Sequence, residues 1–284
     1  MNKRILLIDG HNYLFRGYYG VPIQAKRRDG TAINAVYGFF SLLRLTLNVL
    51  KPDYLLIMFD SETSIDTKKY LKPEYKSNRV STNNSVYLQL PLIRSCLNLL
   101  NIRWFDHQNH EADDLIGAYS ELMKSKSLDV YIGSNDNDFI QLIDASTSIA
   151  RGHHGVISVF NNRTVIERFG IEPCQYIDYL AMVGDKSDNI EGIIGIGKKT
   201  AVQLLKKYRD IDNIYQNFDL LSGNIKRLII NKQEFLNTQK SFLAIKRIVN
   251  DLKFFDKKQL RIKKQLIPEK MGKFIDLNWD RIKS

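Results

Sequence analysis

The chain has 284 residues, enough for one large α/β domain or a main domain with an appended helical part, and enough to bury a sizeable core. Lys and Arg number 42 against 31 Asp and Glu, a net charge of +11 that suits a polyanionic partner or reflects a proteome rich in Lys, Asn and Ile. Two cysteines exclude a disulfide framework, the opening MNKRILLIDG is too short and wrongly flanked for a signal peptide, and no apolar run reaches a membrane span, so a soluble, cytoplasmic protein is expected.

In chain order, Ile5-Leu6-Leu7-Ile8 runs without alternation into Asp9, which predicts a strand buried on both faces of a parallel sheet. Residues 37–50 then space Phe39, Phe40, Leu42, Leu43, Leu45 and Leu47 as a helix does. A second run, Leu55-Leu56-Ile57-Met58-Phe59, ends in Asp60. The following residues 61–87 are polar, basic and poor in aliphatics, longer than an ordinary connection. They form either a surface loop or a lid over a nucleic-acid site, with Lys68, Lys69, Lys72, Lys76 and Arg79 for phosphates and Tyr70 and Tyr75 for stacking. Residues 88–100 are helical, His110-Glu111-Ala112-Asp113-Asp114 opens another helix, and Val130-Tyr131-Ile132 forms a third strand shortly before Asp136. Helical patterns dominate beyond about residue 160, over 175–183, 198–208 and Lys-rich stretches further on. Alternating strand and helix predict an α/β fold with a mostly parallel central sheet flanked by helices over 1–170, interrupted by an arch near 61–90. Residues 171–284 then form a helical region carrying a helix–turn–helix at 175–209.

Ligands of open parallel sheets bind beyond the carboxyl ends of the strands, and three predicted strands carry Asp9, Asp60 and Asp136 to that edge. Helix capping explains one or two acids among Glu111, Asp113 and Asp114, but not all three. The loop Ser134-Asn135-Asp136-Asn137-Asp138 adds Asp138, and Gly184-Asp185-Lys186-Ser187-Asp188 adds Asp185 and Asp188. A calcium loop is excluded, because Phe139, Ile140 and Leu142 follow where acids and a glycine belong. Nine carboxylates gathered in a cationic chain repel one another unless cations are bound, and hard oxygen donors suit two Mg²⁺ or Mn²⁺. Such a pair is one way to hydrolyse a phosphodiester.

Between the helical patterns, Gly192-Ile193-Ile194-Gly195-Ile196-Gly197-Lys198-Lys199 sets glycines before a helix N-terminus, where amide N–H groups favour phosphate. Lys198 and Lys199 oppose the helix dipole there, a poor choice for stability and a good one for a DNA backbone. The spacing fits neither a Walker loop nor a dinucleotide fingerprint.

These residues together, LLIDGHNYLFRGYY, MFDSE, PEYKSNR, HEADD, SNDND and MVGDKSDNIEGIIGIGKKTA, resemble the 5′-nuclease domain of bacterial DNA polymerase I and the related bacterial and phage flap endonucleases. The resemblance implies a structure-specific 5′-3′ exonuclease or flap endonuclease for replication and repair, acting on DNA with a 5′ flap or 5′ end. It implies that Asp9, Asp60, Glu111, Asp113, Asp114, Asp136, Asp138, Asp185 and Asp188 hold two metal ions. It further implies that Lys76 and Arg79 contact the scissile phosphate, that Arg16 lies near the active site, and that Tyr75 stacks on an unpaired base. The glycine turn is implied to grip duplex DNA through Gly192, Gly195, Gly197, Lys198 and Lys199, with K⁺ on the carbonyls of Val183, Ile193 and Ile196. Glu191 stands where the family commonly has Pro, and a chain ending at Ser284 looks like a stand-alone nuclease or the remnant of a shortened polymerase, with a separate DNA polymerase as a candidate partner. A catalytically dead DNA binder would tolerate loss of acids, and a single-domain ribonuclease would dispense with the glycine turn; this sequence keeps both.

Overall fold

The computed structural model describes residues 2–21, 25–26, 30–61, 84–186 and 189–262. Lys68, Lys69, Tyr70, Lys72, Tyr75, Lys76, Arg79 and Asp188 lie outside the described residues.

Six strands, β1 (Arg4–Asp9), β2 (Tyr54–Met58), β3 (Trp104–Phe105), β4 (Asp129–Gly133), β5 (Thr147–His153) and β6 (Val156–Phe160), form one sheet in the order β3-β2-β1-β4-β5-β6. The first five are mutually parallel, and β6 returns antiparallel along β5. Period-two alternation sends Ile5 and Leu7 into one core and Leu6 and Ile8 into the other, so apolar residues on both parities are satisfied by layers on both faces. Each such fully buried side chain contributes roughly 1.5–3 kcal/mol, which fixes the strand against slipping.

On one face pack the helices α1 (Gly10–Gly20), α2 (Asn34–Leu50), α3 (Asn84–Tyr87) and α4 (Leu90–Leu99). On the other lies α5 (Ala112–Lys124), through Leu115, Ile116, Tyr119 and Met123. That second core continues without a break into α7 (Tyr176–Val183) and α8 (Lys198–Tyr208), beyond the short α6 (Asn162–Phe169). The chain goes on through α9 (Ile211–Gln216), α10 (Gly223–Ile229), α11 (Gln233–Leu243) and α12 (Lys257–Leu260). It returns to the sheet where Arg261 bridges Tyr54. Among the described residues no helix is long and apolar enough to cross a membrane.

The hairpin β5–β6 and the two-residue β3 are absent from the sequence-based expectation. Two alternating runs around His153-His154-Gly155, with His154 and Gly155 both at positive φ, carry the signal for the hairpin.

Candidate acidic site and glycine turn

Strand order reverses at β1, whose neighbours β2 and β4 come from crossovers in opposite directions, and this opens a crevice at the carboxyl ends of the three strands. Asp9 is the last residue of β1 and the N-cap of α1, with one carboxylate oxygen accepting the Asn12 N–H at 3.0 Å. Gly10 makes that turn possible, since a Cβ there would stand 2.4 Å from the Phe59 ring and 2.7 Å from the Met58 carbonyl oxygen. The other Asp9 oxygen crosses the crevice to accept the Ser134 hydroxyl at 2.9 Å, and Ser134 Oγ in turn accepts the Asp136 N–H at 3.1 Å. Asn12 Oδ1 fixes the same loop by accepting the Asn135 N–H at 3.1 Å.

Asp60, two residues past β2, accepts the Ala112 N–H at 2.7 Å and so caps α5, which sets Asp60 beside the Glu111-Ala112-Asp113-Asp114 turn. Its own N–H donates to His11 Nδ1 at 3.0 Å. An Nδ1 that accepts this hydrogen bond carries no proton, and burial, with the Arg94 charge, holds His11 below the usual imidazole range against the pull of Asp60. Asp136 accepts the Asp138 N–H at 2.9 Å, a local turn that orders both acids. Asp114 is buried, with one oxygen accepting the Lys246 N–H at 2.9 Å and the other 3.3 Å from Lys246 Nζ. Glu111 is buried as the N-cap of α5 and gives no side-chain capping bond, while Asp113 and Asp138 are half-buried.

Burial pushes the Asp9 carboxyl up to about 7, with the Asn12 N–H and Ser134 hydroxyl opposing and the charges of Asp60 and Asp136 adding to the rise. Burial likewise pushes the Tyr176 phenol up, and the neighbouring charges of Asp138, Asp185 and Asp136 push the same way. Among the described residues no three carboxylate, imidazole or thiol groups are already drawn onto one ion-sized point. Each of Asp9, Asp60, Asp114 and Asp136 accepts a backbone N–H through one carboxylate oxygen. The donor set fits hard divalent cations, being carboxylate oxygens among which the charges of Asp60 and Asp136 raise the proton affinity of Asp9.

Arg16 lies one turn beyond Asn12 on α1, and its guanidinium donates to the Gly152 carbonyl, which also accepts the Asn135 side-chain N–H at 3.0 Å. It thus borders the acidic loop from the β5 side.

In the glycine turn, Asp185 and Ile190 exchange backbone hydrogen bonds of 2.9 and 2.8 Å. Gly184 and Gly195 hold φ of +84° and +93°. Gly192 lies so close under α7 that a Cβ would stand 2.3 Å from the Val183 carbonyl carbon and 2.5 Å from its oxygen. Gly197 caps α8 in the open, and Lys198 and Lys199 are exposed beside it. The Ile193 carbonyl accepts the Ile196 N–H at 2.9 Å, while Ile193 N–H donates to Met182 at 2.8 Å. Ile194, at the tip, is 95% exposed.

His11, Asn12, Ser134 and Tyr176 are the residues that sequence reasoning passed over. The first three flank Asp9 and Asp136 in the chain, a signal that was readable; Tyr176 carries none.

Residues 4–170 match the family model described as the 5′-3′ exonuclease N-terminal resolvase-like domain, and 171–266 that of the 5′-3′ exonuclease C-terminal SAM fold. A 5′-3′ exonuclease of Mycoplasma pneumoniae is 35% identical over 260 residues, 89% of this chain and 88% of that protein. DNA polymerase I of Streptococcus pneumoniae is 35% identical over 250 residues, 86% of this chain, and the match spans 28% of the polymerase. Among solved structures, the bacteriophage T5 D15 flap endonuclease in a pseudo-enzyme–product complex with DNA and metal ions aligns with TM-score 0.66 at 19% identity, over 86% of this chain and 89% of that one.

Proposed function

The chain belongs to the 5′-3′ exonuclease family, and from that premise we propose that it is a structure-specific 5′ nuclease that hydrolyses DNA at 5′ ends and flaps. The observation that carries this reading is the crevice at the reversal of strand order, where Asp9, Asp60 and Asp136 face one another within one hydrogen-bonded frame beside a glycine turn built for backbone contact.

Asp9, Asp60, Glu111, Asp113, Asp114, Asp136 and Asp138, with Asp185 and Asp188 from the turn after α7, would hold two Mg²⁺ or Mn²⁺ ions. Bound there, such ions supply the positive charge that activates water and stabilises the oxygens of an in-line phosphodiester displacement. The chain's own contribution is position. Ser134 links the β1 and β4 acids, and His11 and Ala112 aim Asp60. Lys76 and Arg79, beyond the described residues, are assigned to the scissile phosphate, Arg16 to the neighbourhood of the active site, and Tyr75 to an unpaired base. Gly192, Gly195 and Gly197 present backbone to duplex DNA, Lys198 and Lys199 add charge, and the carbonyls of Val183, Ile193 and Ile196 are the K⁺ candidates. Residues 1–170 are read as the nuclease core and 171–284 as the DNA-gripping part. Flap and primer removal alongside DNA polymerase activity, in the cytoplasm, is the role that suits this activity.

The test is a 5′-labelled flap DNA and a matching single-stranded RNA, each incubated with and without Mg²⁺. Mg²⁺-dependent release of the flap is expected. Equal cleavage of the RNA would point to a ribonuclease, and retention of the flap without cutting to a binding protein.

A further inference from the structure

The segment that follows α11 lies directly against the acidic site. Gln141, buried one turn past Asp138, donates through Nε2 to the carbonyls of Asp138 and Leu243 at 2.9 and 3.0 Å and accepts the Ile245 N–H at 2.9 Å. Arg247 donates to the Gln141 carbonyl at 2.6 Å and to Glu121 at 3.0 Å. On the other side, Gly117 of α5 admits the segment at a distance no side chain would allow, since a Cβ would stand 2.5 Å from the Lys246 carbonyl oxygen and 2.7 Å from Ile245 Cγ2. Residues 243–247 are therefore held by their backbone, and Lys246 is placed over the first turn of α5 whatever its side chain does.

What that side chain meets is Asp114, with 1% of its side chain exposed, whose Oδ2 lies 3.3 Å from Lys246 Nζ. The carboxylate needs no ammonium to stay in position, because its other oxygen accepts the Lys246 main-chain N–H and the helix N-terminus favours it. The ammonium adds charge alone. Half of the Lys246 side chain is exposed, so it can swing into solvent without leaving a cavity. Two residues before Asp114 is Ala112, whose N–H binds Asp60, so this cation stands at the edge of the group of acids assigned above to metal ions.

We propose that Lys246 is an exchangeable counterion of the acidic site: it neutralises Asp114 while divalent cations are absent and is displaced as they bind. The proposal rests on the metal-site reading above. Its physical basis is that a divalent cation held by these acids and an ammonium beside Asp114 repel one another, so each lowers the affinity of the site for the other. Lys246 acts in this scheme only through its charge on Asp114 and touches no reacting atom.

The experiment is calorimetric titration of the full chain with Mn²⁺, without DNA, for the wild type, Lys246→Met, Lys246→Gln and Lys246→Arg. Loss of the charge should tighten Mn²⁺ binding by about three- to tenfold in the Met and Gln variants, while the Arg variant stays near wild type. The Mg²⁺ concentration for half-maximal flap cleavage should fall by the same factor. Unchanged or weaker Mn²⁺ affinity in a Met or Gln variant with wild-type circular dichroism overturns the proposal. Tighter Mn²⁺ binding without any flap cleavage would sustain it and sink the nuclease reading; flap cleavage with unaltered Mn²⁺ affinity would do the reverse.

Discussion

On the function proposed above, the crevice at the strand ends and the turn between α7 and α8 would meet a phosphodiester in opposite ways. In the crevice side chains do the work: Asp9, Asp60 and Asp136 project from fixed backbone, each oriented by an N–H or hydroxyl donor. In the turn the side chains are removed so that backbone can do it, with Gly184 and Gly195 at positive φ and Gly192 pressed against Val183. The lesson is that the two regions should fail differently. An isosteric change of charge should ruin the first and leave the second intact, whereas a single methyl group should ruin the second and leave the first.

The largest effect is expected in the crevice. Asp136→Asn keeps the acceptor for the Asp138 N–H and removes the charge. Flap cleavage should drop by about 10³-fold or more, while flap affinity measured in Ca²⁺ changes little. If affinity and cleavage fell together, the division of labour between the two regions would be wrong.

Next in size is a pH effect confined to the crevice. Asp9 is raised from 3.8 to about 7, so the folded state holds a proton that the unfolded chain gives up. Stability from this group is present at low pH and is lost as pH rises through about 7. In EDTA, thermal unfolding should therefore report a loss on the order of 2–4 kcal/mol between about pH 4 and pH 8. Asp9→Asn should flatten that slope, and Mn²⁺ should raise the midpoint more at pH 8 than at pH 5. An identical Mn²⁺ response at both pH values would argue against cation binding beside Asp9.

Gly192→Ala reverses the pattern of Asp136→Asn. The added Cβ has no room beside Val183, so the turn must shift. Flap binding should weaken by about tenfold or more, with the single-turnover rate at saturating enzyme nearly retained. A normal affinity in this variant would mean that the turn is a plain helical connection. The smallest effects belong to the exposed Lys198 and Lys199. Alanine at either should weaken binding about three- to tenfold at every sequence tested and lower the salt slope by about one.

Much of this was legible in the chain. Unalternated runs ending in Asp9 and Asp60 announce buried parallel strands with acids at their carboxyl ends, because such strands are covered on both faces and need no polar parity. The glycines at 192, 195 and 197, set before Lys198, announce a turn of close backbone approach, which Gly192 makes against Val183. The helix Lys198–Tyr208 has the limits its apolar spacing predicts. Only the tertiary structure could decide which distant groups meet. That Ser134 binds Asp9 and that Lys246 covers Asp114 are consequences of strand order and of the return of residues 243–247 to α5. A local pattern records the propensity and burial of its own segment, whereas a contact across more than a hundred residues depends on how whole layers stack, and no single segment carries that information.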